Sequence, residues 1–291
     1  MPAPFEAISL ERRNEYLERF LRCPERTSDY SLSNIWGWAN EYGLEWSFDD
    51  SHVWLRQTQP KPIFWAPVGP WHDVDWNRCP HLTKPCALIR VPGQLVDLWK
   101  CIFPNRIAVE EARGHWDYFY SVEKMISLKG NKLHRKKNHL NAFKRQYRAE
   151  LIDMLPDCVE EVLELQAEWF RRHKHTNPSP LLAENTAVAR VLTAWDHLPG
   201  LIGASLHIDK TMVAYTVAEP LTEDTLVIHF EKGSPKFRGV YQAINQMFLE
   251  RNASSFTHVN REQDLDDEGL RQAKLSYYPA GFLKKYTVRL A

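Results

Sequence analysis

One stretch, residues 226–263, constrains the fold of this chain more than any other. Residues 225–230 are apolar and rich in β-branched side chains, which is typical of a buried strand. The Gly and Pro within residues 231–235 should end that strand. A helix is predicted to begin near Arg238, because apolar residues then recur at the spacing of one helix face: Val240, Ala243, Ile244, Met247 and Phe248. A short strand at residues 256–260 completes a β-turn-α-β unit.

The start of this helix is a candidate anion site. A helix that begins in a Gly-containing turn after a strand presents free backbone N–H groups and the positive end of its dipole. The candidate cofactor-binding residues at this point are Arg238, Gly239, Tyr241, Gln242 and Asn245. The alternative is an ordinary β-turn-α connection, since a single Arg-Gly pair at a helix start has little specificity.

Composition favours a globular protein with one or two domains. The chain has 291 residues and carries 37 Lys and Arg against 37 Asp and Glu, so no overall charge attracts nucleic acid or membrane. The five cysteines are odd in number and lack C-x-x-C spacing, which favours reduced thiols over disulfides or a zinc site. No signal peptide is visible, and no apolar run approaches the roughly 20 residues that span a bilayer. We therefore expect a soluble, cytoplasmic protein.

Tryptophan is concentrated in the first half of the chain. Most of the eleven tryptophans lie between residues 36 and 116, which predicts a large aromatic core there, with an aromatic groove as the alternative. His72, Asp73 and Asp75 share a loop in this region. Three scattered ligands do not define a metal site, so we expect a solvated loop and no metal.

A second informative stretch is strongly basic. No acidic residue occurs between Glu123 and Glu150, whereas nine cations do: Lys124, Lys129, Lys132, Arg135, Lys136, Lys137, Lys144, Arg145 and Arg148. Apolar residues with helical spacing predict that much of it is a helix with one buried edge: Leu133, Leu140, Phe143 and Tyr147. Basic faces are often only solvated. Because this stretch has no acidic residues to balance its charge, the other interpretation is that it binds a partner that carries phosphate. That partner is an RNA end, a phospholipid head group or a nucleotide cofactor.

Acidic residues resume just after this stretch, and the reversal of charge predicts a domain boundary near residue 150. We therefore expect a first domain at residues 1–150, ending in the basic helix, and a second at residues 151–291. In the second domain, hydrophobic periodicity and turn residues predict the order α-α-β-β-β-α-β-α-β.

This order, with a helix start directly after the third strand, resembles the GNAT acyltransferase fold. Three segments are similar to the phosphatidylglycerol lysyltransferase C-terminal-like family, whose members are similar to tandem GNAT-like proteins: KGNKLHRKKNHLNAFKR (129–145), HFEKGSPKFRGVYQAIN (229–245) and VNREQDLDDEGLRQAKLSYYP (259–279). The resemblance covers about residue 117 to residue 291. It implies an α+β fold in two GNAT-like halves, with mixed, largely antiparallel sheets flanked by helices.

The resemblance also implies an acyl or aminoacyl transferase. Full-length lysyltransferases transfer lysine from lysyl-tRNA to phosphatidylglycerol, so the expected donor is aminoacyl-tRNA or acyl-CoA, with no tightly bound cofactor. The expected partner of residues 129–148 is a tRNA acceptor end or a phospholipid head group. As in GNAT enzymes, backbone N–H groups near residues 229–231 would polarise a carbonyl where neighbouring strands splay apart. Glu231 or His229 is then the candidate base, and Tyr277 or Tyr278 the candidate acid.

Polar residues after the strand at residues 256–260 form a candidate substrate site. They are Asn260, Arg261, Glu262, Asp264, Arg271 and Lys274. The planar guanidinium group of Arg matches the geometry of planar oxyanions. We therefore predict a clamp for phosphate or carboxylate, formed by Arg261 with Asp264, Arg271 and Lys274. The alternative is a loop held by salt bridges. More distant phosphates of the donor would be held by four residues of the basic stretch: Lys132, Arg135, Lys136 and Lys137.

Two rival functions stay open. One is an acetyl-CoA-dependent N-acetyltransferase, although Tyr241 stands where the GNAT pyrophosphate pattern usually has Gly, which fits coenzyme A poorly. The other is a non-catalytic module that binds RNA or anionic lipid through residues 129–148. For a transferase, the acceptor would be a lipid, a small molecule or a peptide.

Overall fold

The chain folds into two compact units. A computed structural model describes residues 3–155, 158–173 and 178–291. The first unit comprises Met1–Asp117, Gln263–Asp267 and Phe282–Ala291, and the second comprises Tyr118–Glu262 and Glu268–Gly281. Among the helices of the described residues, none is both long and apolar enough to cross a bilayer.

Strands and helices are interspersed along the described residues. The strands are β1 (Glu6–Ala7), β2 (Leu44–Phe48), β3 (Val53–Gln57), β4 (Ile63–Trp65), β5 (Cys86–Pro92), β6 (Ile107–Glu111), β7 (Asp117–Ser121), β8 (Ala149–Asp153), β9 (Ile202–Ile208), β10 (Thr211–Pro220), β11 (Thr225–Gly233), β12 (His258–Asn260), β13 (Gly281–Leu283) and β14 (Lys285–Leu290). The helices are α1 (Arg13–Phe20), α2 (Leu32–Tyr42), α3 (Gly93–Ile102), α4 (Val122–Ser127), α5 (His134–Gln146), α6 (Val159–His173), α7 (Pro178–Thr193), α8 (Val240–Asn252) and α9 (Glu268–Leu275).

The first unit is built on a sheet with the strand order β1-β2-β3-β4-β5-β14-β6. Its pairs are antiparallel except for β4 and β5, which run parallel and meet through Phe64↔Leu88 and Trp65↔Ile89. The aromatic core predicted for this half is confirmed, since six tryptophans are nearly inaccessible to solvent: Trp46, Trp54, Trp65, Trp71, Trp76 and Trp99.

The second unit is built on a sheet with the strand order β13-β7-β12-β11-β10-β9-β8. Strands β11 and β12 are parallel, and the pairs β7–β12, β10–β11, β9–β10 and β8–β9 are antiparallel. Helix α8 packs on β10 and β11 and also contacts α4 and α5. The core between them contains Leu206, Ala214, Ile244 and Phe248.

The division between the units lies earlier than the boundary predicted near residue 150. Residues 118–150 belong to the second unit, because β7 pairs with β12 and α5 packs against α8. The basic helix is therefore part of the second unit and does not close the first. The C-terminal strand β14 pairs between β5 and β6 and so belongs to the first unit. The distribution of charged residues along the sequence contains no information about these long-range strand pairings.

The predicted β-turn-α-β unit forms with two changes. Strand β11 extends to Gly233, through residues predicted as a turn, because Glu231 and Lys232 pair with Thr216 and Tyr215 of β10. Helix α8 begins at Val240, and its predicted apolar face is buried except for the half-buried Met247. Three residues outside that face are also buried: Asn245, Gln246 and Leu249. The basic stretch is helical as predicted, with Leu140 and Phe143 of α5 buried.

Candidate functional site

Strands β11 and β12 separate after three residues. They pair only through Thr225↔His258, Leu226↔Val259 and Val227↔Asn260. Strand β11 then continues for six more residues, whereas β12 ends at Asn260. A bulge at His229 interrupts the pairing of β11 with β10 just beyond this point, where Ile228 pairs with Ala218 and Phe230 with Val217. Beyond Asn260, β11 is therefore no longer paired with β12, and this is where the family resemblance implied a carbonyl site.

Glu231, a candidate base, lies on β11 beyond the last β11–β12 pair. Its Oε1 accepts a hydrogen bond from Arg261 Nη2 (2.9 Å), and its Oε2 accepts one from Asn245 Nδ2 (2.8 Å). Arg261 directly follows β12, so this ion pair spans the gap between the strands. The side chain of Glu231 is only 7% exposed. A carboxylate has about four lone-pair sites, so Glu231 can still accept a proton or a further hydrogen bond. The side chain of Asn245, a candidate cofactor-binding residue, orients this carboxylate.

Tyr277, a candidate acid, completes the same cluster. Its ring centroid lies 5.2 Å from Arg261 Cζ and 4.2 Å from Lys136 Nζ. Gln242 Nε2 donates to its hydroxyl oxygen at 3.4 Å. Burial raises the pKa of Tyr277, and the negative charge of Glu231 acts in the same direction, while Arg261 opposes them. The phenol is therefore protonated at neutral pH and can donate its proton, as an acid must.

His229, the other candidate base, is enclosed by two carboxylates. Its Nδ1 lies 2.7 Å from Glu262 Oε1 and its Nε2 lies 2.8 Å from Glu219 Oε1. Burial by itself lowers the pKa of His229, but the hydrogen bonds to Glu219 and Glu262 outweigh it and raise the pKa to about 10. The imidazole is thus charged at neutral pH and cannot accept a proton, which argues against the base role. We did not predict Glu219, although an acidic residue at the end of an apolar strand was a usable signal.

The start of α8 does not offer the open anion site that the turn predicted. Gly239 is the N-cap residue and has φ +90°. A Cβ atom at Gly239 would lie 2.5 Å from the backbone oxygen of His139, which shows how closely α5 approaches this turn. That approach places a carbonyl oxygen, which repels phosphate, beside the helix start. Arg238 is exposed, and the Tyr241 hydroxyl accepts a hydrogen bond from Trp169 Nε1 (3.0 Å).

The two candidate acids occupy different environments. Unlike Tyr277, Tyr278 is 51% exposed, and Lys132 Nζ lies 5.2 Å from its ring centroid. Arg135 is exposed and Lys137 is half-buried on α5. Of the four basic residues predicted to hold phosphates, Lys136 is therefore the one that reaches the cluster around Tyr277.

The predicted clamp around Arg261 is only partly assembled. Lys274 Nζ donates to the backbone oxygen of Arg261, and Asn260 is buried with its Oδ1 accepting from Glu262 N (2.7 Å). Asp264 belongs to the first unit, where it forms an ion pair with Arg113 (3.2 Å). Arg271 is half-buried on α9. The structure thus brings Lys274 to Arg261 and places Asp264 with Arg113, while binding of phosphate or carboxylate by these residues stays a prediction.

In the first unit, a tyrosine that we did not predict hydrogen-bonds to both segments at the end of the parallel pair β4–β5. The Tyr30 hydroxyl donates to the backbone oxygen of Arg90 (3.1 Å) after β4–β5 pairing ends, and accepts from Ala66 N (2.9 Å). The Tyr30 hydroxyl therefore bridges the two segments just beyond the last paired residues of β4 and β5. Beside it lies a buried ionic cluster of Asp29, Arg90, Asp117 and Lys285. No periodicity marks Tyr30, since it lies in a short 3-10 turn.

Comparison with known proteins gives the family and the fold. A family model described as phosphatidylglycerol lysyltransferase, C-terminal, matches residues 21–289. An uncharacterised protein of Mycoplasmoides gallisepticum is 24% identical over 176 residues, which are 60% of this chain and 56% of that protein. The chain therefore spans little more than half the length of this curated relative.

Three solved structures share the architecture over nearly the whole chain. A conserved protein of unknown function from Bacteroides thetaiotaomicron VPI-5482 has a TM-score of 0.88 and 29% identity, with 100% of both chains covered. L-PGS from Bacillus licheniformis has a TM-score of 0.66 and 13% identity, with 97% of this chain and 92% of that chain covered. A tandem GNAT protein of the clavulanic acid biosynthesis pathway has a TM-score of 0.52 and 9% identity, covering 100% and 98%. The predicted α+β fold with two GNAT-like halves is confirmed.

Proposed function

Because this chain belongs to the phosphatidylglycerol lysyltransferase C-terminal family and shares its acyl-transfer class, we propose that it transfers an aminoacyl group from aminoacyl-tRNA to a lipid, small-molecule or peptide acceptor. The observation that carries the proposal is the gap between β11 and β12, which is spanned by the ion pair of Glu231 and Arg261. A splayed pair of parallel strands leaves backbone hydrogen-bonding groups free for a carbonyl. We therefore place the activated acyl group of the donor in this gap.

The proposed reaction is acyl transfer by direct attack. A hydroxyl or amine of the acceptor attacks the ester carbonyl carbon of the aminoacyl group, and a new C–O or C–N bond forms. The bond to the ribose oxygen of the tRNA breaks, and the ribose hydroxyl leaves with a proton. Glu231 takes the proton of the attacking group, and Tyr277 supplies the proton of the leaving group. His229 has no proton-transfer role in this scheme, because it is already charged.

Two features favour aminoacyl-tRNA over acetyl-CoA as the donor. A carbonyl oxygen lies beside Gly239, where a GNAT enzyme would seat the pyrophosphate of coenzyme A. In addition, α5 brings Lys136 to within 4.2 Å of the Tyr277 ring centroid, and the same helix continues as a basic surface. A long basic surface that leads to the acyl site suits a polyanionic donor.

The test is a transfer assay with defined donors. The purified protein is incubated with radiolabelled aminoacyl-tRNA or acetyl-CoA, and with phosphatidylglycerol vesicles, a lysine-containing peptide or hydroxylamine as acceptor. We expect transfer from aminoacyl-tRNA to at least one acceptor. Transfer from acetyl-CoA alone would replace the proposed donor.

Two variants test the assigned roles. Glu231→Gln keeps the size of the side chain and removes the base, so we expect the transfer rate to fall by about 10²-fold to 10⁴-fold. Glu250→Gln is the matched control, because Glu250 is exposed on α8. Equal rates for both variants in folded protein would remove Glu231 from the mechanism.

A further inference from the structure

The rings of two consecutive tyrosines, Tyr277 and Tyr278, are each in cation–π contact with a lysine of the basic stretch. Lys136 Nζ lies 4.2 Å from the ring centroid of Tyr277, and Lys132 Nζ lies 5.2 Å from that of Tyr278. The lysines are four residues apart, Lys132 in the short turn before α5 and Lys136 in the first turn of α5. The pairing brings two cations and two aromatic rings together on one surface of the second unit.

The ring of Tyr278 is presented to solvent by the backbone. Tyr278 is 51% exposed and has φ +53°, a left-handed conformation that is unfavourable for a bulky side chain. Its N–H donates to the backbone oxygen of Leu275 (2.9 Å) just after the end of α9. The burial of the preceding Tyr277 and this hydrogen bond fix the turn. A strained residue that keeps a large aromatic ring in water points to a binding role.

In the described ranges of the chain, neither Lys132 nor Lys136 forms an ion pair with a carboxylate. Lys136 is half-buried, and burial followed by the charges of Arg261 and Arg135 lowers its pKa. Arg261 is paired with Glu231, so the cluster keeps an excess of positive charge. An anion close to Lys136 would remove this repulsion.

The excess charge continues away from the site. The exposed cations of helix α5 run from Arg135 to Arg145, which is roughly 15 Å along the helix axis. Between Glu123 and Glu150 no acidic side chain interrupts them. A single phospholipid head group supplies one phosphate at one point. A nucleic acid strand supplies phosphates at regular intervals, together with bases that stack on aromatic rings.

We propose that Tyr278, Lys132 and Lys136 bind the unpaired 3′ end of an RNA. A base stacks on the exposed ring of Tyr278, and a backbone phosphate lies between the two lysines. The base has to be unpaired, because a base within a duplex is not accessible to a single ring. This inference rests on the proposed function for the choice of the 3′ end, and it gives Tyr278 a binding role distinct from the acid role of Tyr277.

Binding of model RNAs tests the inference without turnover. A fluorescent RNA hairpin with a short unpaired 3′ tail is compared with the same hairpin with a blunt end, at several KCl concentrations. We expect the tailed hairpin to bind more tightly. Tyr278→Ala should weaken its binding by roughly tenfold to a hundredfold and leave blunt-end binding unchanged, whereas Tyr278→Phe, which keeps the ring, should bind like the wild type.

The lysines are tested by the salt dependence of binding. Lys132→Ala should lower the slope of log Kd against log salt concentration by about 0.7, the value for one phosphate contact on a single strand. Lys84→Ala is the control, because Lys84 is an exposed lysine of the first unit. Equal binding of tailed and blunt hairpins, or equal loss for the Ala and Phe variants at position 278, would overturn the inference.

The outcomes separate this inference from the proposed function. Tail-dependent binding without any aminoacyl transfer would support the RNA surface and count against the transferase. Transfer that proceeds normally in Tyr278→Ala, with unchanged tail binding, would support the transferase and overturn the RNA surface. Binding of the protein to phosphatidylglycerol vesicles through Tyr278, without binding to either hairpin, would assign the surface to a membrane and overturn the inference.

Discussion

The charge of His229 predicts how the stability of the protein depends on pH. Burial alone lowers the pKa of His229, but hydrogen bonds to Glu219 and Glu262 raise it from 6.5 to about 10. One pKa unit between the folded and unfolded states corresponds to about 1.36 kcal/mol. The rise of the pKa is therefore worth roughly 5 kcal/mol of folding free energy, a large part of the total for a typical domain.

The sign of the effect follows from where the proton binds more tightly. The folded state holds the His229 proton more strongly than the unfolded state does. The stabilisation is therefore complete below pH 6.5 and is lost as the pH rises through about 10. Within that window we expect the free energy of unfolding to fall by about 1.4 kcal/mol per pH unit.

Urea unfolding of the wild type and of His229→Gln across this pH window measures the effect. The variant lacks the titrating group and leaves two carboxylates without their cation, so it should be less stable near neutral pH by about 3 to 5 kcal/mol. The stability difference between the two proteins should shrink steadily as the pH rises. Thiols and phenols titrate in both proteins and cancel in the difference. A difference that stays constant over the window would refute the charged imidazole.

Three further outcomes are expected. Gly239→Ala should destabilise the protein by about 1 to 3 kcal/mol more than Gly130→Ala in urea unfolding, because both glycines have φ near +90° but only Gly239 is pressed against His139. Lys285→Met, which leaves two buried carboxylates without their ammonium group, should lower the free energy of unfolding by about 3 to 5 kcal/mol, and an unchanged thermal midpoint would contradict this. Tyr30→Phe should cost about 1 kcal/mol in the same measurement and leave aminoacyl transfer intact, since Tyr30 belongs to the first unit and the residues of the proposed site belong to the second.

The local elements could be predicted because their signals are local. The apolar face of α8 recurs every three or four residues, and the strands β9, β10 and β11 are apolar runs bounded by turn residues. The same holds for the buried edge of α5. These patterns, with the family resemblance of three segments, were enough to indicate an α+β fold and to select Glu231, Arg261, Tyr277 and Lys136 as candidates.

The domain boundary needed the tertiary structure. Strand β7 precedes its partner β12 by more than a hundred residues, and β14 inserts between two strands from the first half of the chain. A charge reversal near residue 150 reports composition, whereas sheet pairing depends on hydrogen bonds between remote segments. Each sheet therefore pairs strands that are far apart in the sequence, which no local pattern reveals.

The roles of individual site residues also depended on the environment that folding creates. His229 and Glu231 are two residues apart on one strand, yet His229 meets two carboxylates and Glu231 meets Arg261 and Asn245. Tyr277 and Tyr278 are adjacent, but one is buried and the other is half exposed. The sequence by itself determined which chemical groups are present and on which elements they lie. Burial and the charge of each neighbour, which only the tertiary structure decides, determined which of these groups can exchange a proton.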